Sequence, residues 1–428
     1  MIGPYEALEL VVRTASRLAP RCVALAEACG LVLAGDVLAR CDCPPFERAM
    51  MDGFAVRLAD AGRSVPVAGE IPAGSTWPAE LAAGECLEIM TGAPCPPGTE
   101  AVVPVEQIQR HGGRIVLPPA IHPGQHIAPR ASDCRAGERL LAAGQTVSPL
   151  AVGAMALAGV AAAPVVPRPT LGIITTGGEL APAGHTAGPG QVYDGNGPML
   201  AAMARGMHLA DPPQRHAADQ LPLIVEALAG MADLDIICLS GGVSVGRYDL
   251  VPQALVEYGG EAVFHGVRQK PAKPLLFARK GRQLLVGLPG NPLACHLGFE
   301  RYVSAAIRKM SGRPAPAPQF QGELQQAIQP KKDRTHFVPA RAEWSPGPAT
   351  PWRLTLLPGN SSADLLAGCG ANCYVELPPG ADTAQAGRLC TFSWFEGGGA
   401  VAGPLFDPRG VGAISPAVAL RDPGSADP

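Results

Sequence analysis

Apolar residues Leu8, Val11, Val12, Ala15 and Leu18 recur at helical spacing, predicting an amphipathic helix near the start of the chain and a short second helix over 23–28. Between 44 and 129 the pattern changes to short β-like runs at 54–57, 101–105 and 114–117, broken by Gly-Gly, Pro-Pro and Pro-Gly. Helical spacing returns over 149–162, so 44–129 reads as a β domain inserted into a helical scaffold domain made of 1–43 and 130–168. From 169 to 312 strands and helices alternate: strands at 171–174 and 235–239, helices at 198–207, 222–231 and 250–258, then strands at 262–264, 275–278 and 283–286. That alternation predicts an α/β domain with a parallel sheet. A long helix follows, with Phe299, Val303, Ile307 and Met310 on one face and Gly312 as its stop. After a proline-alternating linker at 313–318, strands at 353–357, 373–377 and 388–394 predict a small β domain over 319–396. The fold class is therefore multidomain α/β, and the Gly/Ala/Pro-rich segment 397–428 reads as a disordered tail.

Composition narrows the function classes. The 428 residues are 47% hydrophobic and 17% charged, enough apolar material for several packed cores. A formal charge of −3 without a Lys/Arg run disfavours a nucleic-acid partner. The most apolar stretch, 151–166, is shorter than the roughly 20 residues of a spanning helix and contains Gly153, Gly159 and Pro164, so no membrane role is expected. The N-terminus lacks a secretory pattern, which leaves a cytoplasmic location as the expectation. The 12 cysteines include close pairs at Cys41/Cys43 and Cys369/Cys373, neither completed to a zinc site by a neighbouring pair. They are read as reduced thiols with mainly packing roles.

The α/β segment carries the candidate chemistry. Residues 239–246 (LSGGVSVG) follow a buried strand and precede a helix, so Gly241, Gly242, Ser244 and Gly246 can offer amides and a hydroxyl to an oxyanion. Asp249 lies just beyond; beside a phosphate it would be repelled by about 4 kcal/mol at 4 Å and an effective dielectric near 20, a sign that a bridging Mg²⁺ reverses. An ordinary helix-start acid is the competing reading. Pro289, Gly290, Asn291 and Pro292 end a strand and open a helix, and capping alone accounts for Asn291 and Pro292. Glu179 closes a third strand-end loop, and Lys270 and Lys273, set between prolines, suit an anion or simply a solvated surface.

Several ordered motifs, 44–56 (PPFERAMMDGFAV), 90–93 (MTGA), 240–249 and 288–292 (LPGNP), resemble the molybdopterin molybdenumtransferases, the family of MoeA and the gephyrin E domain. The resemblance spans about 5–395. It implies a MogA-like three-layer α/β domain, a barrel-like C-terminal domain, and an enzyme that inserts molybdate into adenylylated molybdopterin, releasing AMP with Mg²⁺ assisting. It also implies a homodimer whose sites combine the α/β domain of one subunit with the first two domains of the other, and a molybdopterin adenylyltransferase as a further partner. Carried over by position, Asp52, Thr91, Asp133, Glu179, Asp219, Asp249, Lys270 and Lys273 line the site, with Ser361 or Ser362 from the last domain. Asp249 and Glu179 would hold metal or ligand, the lysines molybdate or phosphate, and Asp52 with Thr91 the dithiolene end. The chain departs from the pattern at Gly178, where an acid is usual, at Ala49 for Ser, at Ala272 for Gly, and at Ala128 and Ala131 for Arg and Gly. These departures motivate a second reading, a non-catalytic cofactor-binding or scaffold protein. The α/β domain alone motivates a third, an adenylyltransferase.

Overall fold

The computed structural model describes residues 1–244, 246, 249–345, 350–357, 359, 361–380 and 383–396. The segment 397–428, read above as a disordered tail, lies outside the described residues. The chain forms two compact units, one of residues 20–165 and one of 1–19 with 166 onward. No described helix is long and apolar enough to cross a membrane.

In the larger unit a six-stranded sheet runs in the order Gln214–Ala217, Leu171–Thr176, Ile236–Ser240, Gln283–Leu288, Leu276–Lys280, Glu261–His265. The first four strands are parallel, but Leu276–Lys280 runs antiparallel to both of its neighbours, which corrects the expected parallel sheet. The cause is the tight turn through Gly281, which returns the chain directly instead of through a crossover helix. One face is covered by the helices Leu221–Ala229 and Val251–Glu257, the other by Asn196–Gly206 and the helical run from Pro292, giving three layers. The chain leaves the first strand toward one edge and re-enters the sheet at the third on the other side. The carboxyl ends of Leu171–Thr176 and Ile236–Ser240 therefore flank a topological switch point, where open α/β sheets bind ligands.

Two helical expectations change. The long C-terminal helix is interrupted by a π turn at Phe299–Val303 between Pro292–Gly298 and Ser304–Met310, which keeps Phe299, Tyr302, Val303 and Ile307 all buried. The helix Pro4–Thr14 buries Ala7, Leu8 and Val11 in the core of this α/β unit, not in a scaffold with 130–168.

The same unit ends in a closed five-stranded barrel of Phe320–Leu324, Thr335–Trp344, Trp352–Leu356, Cys373–Leu377 and Leu389–Trp394. His296, on the helix Pro292–Gly298, packs edge-on to Phe395 and shares a 2.9 Å hydrogen bond with the Tyr374 hydroxyl. Burial pulls His296 down to about 4; burial, Lys270 and Lys331 do the same to His336. The unfolded chain takes up these protons near pH 6.5 and the folded one only near 4, so stability is full above 6.5 and falls as pH drops toward 4. At pH 5 each histidine is expected to cost on the order of 2 kcal/mol. Melting temperatures between pH 7.5 and 5 test this: a double His296→Gln, His336→Gln variant flattens the acid slope, and an unchanged slope would refute the assignment.

The smaller unit is not the helical scaffold expected. Arg21–Ala24 is a strand paired with Ala162–Val166 (Val23 opposite Ala163), and only Leu25–Ala28 and Pro149–Leu157 are helical around it. Gly159 in the left-handed region ends the second helix, and the apolar residues beyond it enter the small sheet. Residues 44–129 carry a six-stranded sheet in the order Ala101–Pro104, Gly53–Val56, Cys86–Ile89, Ser64–Ile71, Arg114–Val116, Gln109–His111.

Candidate functional site

At the switch point lies an open cavity of about 1000 Å³. Its lining brings together Glu179, Asp219, Gly241, Gly242, Ser244, Gly246, Asp249, Pro289, Gly290, Asn291 and Pro292, drawn from four strand ends and the loops that follow. Gly241, at φ +98°, donates its N–H to Leu288 O (3.1 Å); a Cβ there would lie 2.7 Å from the carbonyl oxygen of Thr176, so the close approach of the two loops requires glycine.

Asn196, absent from the sequence reading, joins these loops. Its Nδ2 donates to Ser240 Oγ (2.8 Å) and Gly290 O (2.7 Å), while its Oδ1 is buried without a hydrogen-bond partner. Asp194, two residues before it, also lines the cavity.

Four carboxylates, Glu179, Asp194, Asp219 and Asp249, thus face one cavity, with no basic side chain in its described lining. Three of them each commit one oxygen to a backbone amide: Asp249 Oδ2 to Gly246 (2.6 Å), Asp219 Oδ2 to Gly178 (3.1 Å) and Asp194 Oδ1 to Gly197 (3.0 Å). No three His, Cys, Asp or Glu side chains among the described residues are gathered closely enough to enclose an ion. This donor set fits a hard cation held by one or two carboxylates that completes its shell with water and phosphate oxygens, the usual habit of Mg²⁺.

Other expected site residues lie elsewhere. Lys270 and Lys273 do not line the cavity; the same turn reaches it through Pro274. Lys270 sits on a short strand paired with Thr335–His336, and burial, then Lys331 and Arg334, lower its pKa. Asn291 occupies the helix N-cap position but its side chain does not cap: Nδ2 donates to Ser362 Oγ (2.8 Å), tying the helix start to the barrel loop whose Ala363 reaches the cavity. Capping is therefore not the reason for Asn291. Ser361 hydrogen-bonds within its own loop, its Oγ accepting from Ala363 N.

In the smaller unit, Thr91, Ser132 and Asp133 line a separate pocket of about 480 Å³ with Arg48, Ala49 and Ala128. Asp52 does not line it but organises it: Oδ1 accepts from both the hydroxyl (2.6 Å) and the amide (2.7 Å) of Thr91, which together hold its carboxyl below the usual range. The Gly-to-Ala departures are strained positions, Ala131 at φ +60° and Ala272 at φ +62°, each costing roughly 1–2 kcal/mol relative to glycine. Gly178, by contrast, faces open space.

Comparison with known proteins agrees with this organisation. Residues 2–159 match the MoeA N-terminal region (domain I and II), 172–309 a probable molybdopterin binding domain, and 321–395 the MoeA C-terminal region (domain IV). The chain is 37% identical over 310 residues to "Molybdopterin molybdenumtransferase 2" of Mycobacterium tuberculosis (strain ATCC 25618 / H37Rv), covering 69% of this chain and 76% of that protein. It is 30% identical over 394 residues to "Molybdopterin molybdenumtransferase" of Staphylococcus aureus (strain N315), covering 90% and 93%. A crystal structure of the molybdopterin biosynthesis MoeA protein from Pyrococcus horikoshii OT3 superposes with a TM-score of 0.72 at 25% identity, over 92% of this chain and 100% of that one. From these matches in sequence and fold, the chain belongs to the MoeA family of molybdopterin molybdenumtransferases.

Proposed function

We propose that the chain inserts molybdate into adenylylated molybdopterin and releases AMP, as a step of molybdenum cofactor biosynthesis. The observation that carries this reading is the switch-point cavity, where backbone amides and four carboxylates meet without a basic side chain in the described lining. Amides of Gly242 and Ser244 receive phosphate oxygens, those of Gly241 and Gly246 being already bonded to Leu288 O and Asp249 Oδ2. Asp249 and Glu179 would hold Mg²⁺, which would supply positive charge to offset that of the phosphates. Asn196 ties the Ser240 strand end to the Gly290 loop, and Asp219 shapes the Gly178 turn. Lys270 and Lys273 provide cationic charge for molybdate, and Ser362, through Asn291, carries the barrel loop to the cavity.

The Thr91–Asp133 pocket, held by Asp52 through Thr91, serves the dithiolene end, and the chain acts as a cytoplasmic homodimer in which this pocket is supplied by the second copy. Support for self-association comes from the helix Pro149–Leu157, whose exposed side is wholly apolar, with Leu150 87% and Leu157 79% exposed. A molybdopterin adenylyltransferase supplies the substrate.

The test is release of AMP by the pure protein from adenylylated molybdopterin with molybdate and Mg²⁺. One AMP per substrate, dependent on molybdate, is expected. Substrate binding without AMP release would overturn the transferase in favour of the scaffold reading, which Ala128 motivates because it puts a methyl group in the pocket where the family has Arg. Adenylylation of molybdopterin from ATP would favour the third reading.

A further inference from the structure

The thiols of the Cys41/Cys43 pair meet that of the distant Cys134 where the chain enters and leaves the inserted β domain. Cys43 and Cys134 oppose each other as an antiparallel pair, Cys43 N donating to Cys134 O (2.9 Å) and Cys134 N to Cys43 O (3.2 Å). Such pairs have Cα atoms about 5.5 Å apart, within the 4.4–6.8 Å that a disulfide spans. The Cys43 thiol lies beside those of Cys134 and Cys41, and the Cys43 and Cys41 thiols both donate to the Leu157 carbonyl (3.3 and 3.9 Å). All three are partly exposed and none enters a hydrophobic core, unlike the buried Cys86 of the neighbouring sheet. Packing therefore does not account for them.

We propose that Cys43 and Cys134 are an oxidative modification site, closing to a reversible disulfide on exposure to a peroxide. One sulfur attacks a peroxide oxygen: an S–O bond forms, the O–O bond breaks, and the departing hydroxide leaves as water after taking a proton. The second thiol then attacks the resulting sulfenic sulfur, forming S–S and expelling a second water, so two thiols and one hydrogen peroxide give one disulfide and two waters. The bond closes the loop 44–133 at its neck and fixes the approach to Asp133, whose amide already donates to Cys43 O (2.9 Å).

The test uses the full chain, reduced, then treated with hydrogen peroxide, blocked with N-ethylmaleimide and digested without reductant for mass spectrometry. Expected are a cross-link between the peptides carrying Cys43 and Cys134, about a tenfold fall in their maleimide labelling, and recovery of both on adding dithiothreitol. Fragmentation on either side of Asp42 locates the bond at Cys43 or Cys41 without any variant; Cys41→Ser should retain the cross-link and Cys43→Ser lose it. Maleimide retained at both sites under conditions that oxidise the exposed Cys22, Cys29 and Cys369 would overturn the proposal, and so would a bond from Cys134 to Cys41.

Discussion

Replacing Asp249 by asparagine is expected to lower kcat for AMP release by about 10²- to 10³-fold while leaving the melting temperature unchanged. The carboxylate has two jobs that this substitution separates. Its Oδ2 accepts the Gly246 amide at 2.6 Å, closing the loop before the helix Val251–Glu257, and an asparagine carbonyl can accept the same bond. What asparagine removes is one negative charge from a cavity whose described lining offers no positive side chain to meet phosphate. A unit charge interaction at about 4 Å and an effective dielectric near 20 is worth about 4 kcal/mol, close to three decades of rate. If that charge holds Mg²⁺, raising Mg²⁺ should restore part of the variant's rate, a response that a purely structural role would not give. Steady-state rates across a Mg²⁺ series decide it: activity within about threefold of the parent at low Mg²⁺ would remove Asp249 from the catalytic machinery.

The three strand-end loops were legible because a buried apolar strand followed by a glycine-containing turn is a local pattern, and the sheet order then places all such ends on one edge. Asn196 was not legible. Its importance comes from reaching Ser240 and Gly290, far along the chain, and a lone asparagine opening a helix carries no signal of that. The same blindness explains Asn291, read as a cap by position although its side chain bonds Ser362. The scaffold was misread for a different reason. Alanine-rich 149–162 satisfies helical spacing throughout, whereas the change to strand is fixed by the register of Ala162–Val166 against Arg21–Ala24, a long-range pairing. In the barrel, Thr335–Trp344 escaped notice because Pro339 interrupts it and nearly all of 335–340 is buried, which hides the two-residue alternation. That Cys134 joins the Cys41/Cys43 pair was not legible either, because only the fold brings it there.

Replacing Gly53 by alanine is expected to destabilise the smaller unit by about 3 kcal/mol or more, lowering its melting transition by roughly 6–12 °C. Gly53 follows Asp52 in the motif that carries the family resemblance, but its requirement is steric. On the strand Gly53–Val56 it pairs with Pro104 on one side and Ile89 on the other, and an added Cβ would lie 2.1 Å from the carbonyl oxygen of Val103, 2.8 Å from its carbon and 3.0 Å from Pro104 Cα. All three are backbone atoms of the adjacent strand, so no side-chain rotation relieves the overlap, and the two strands must separate. Separation also moves Asp52, whose carboxylate anchors Thr91, so loss of the Thr91–Asp133 pocket should accompany the loss of stability. Gly113→Ala is the control, since its Cβ meets nothing within 4 Å. Thermal unfolding followed by calorimetry should show the smaller unit's transition shifted in the first variant and unmoved in the second; equal melting of both would mean that the strand pair yields without cost and that Gly53 is needed for something other than this contact.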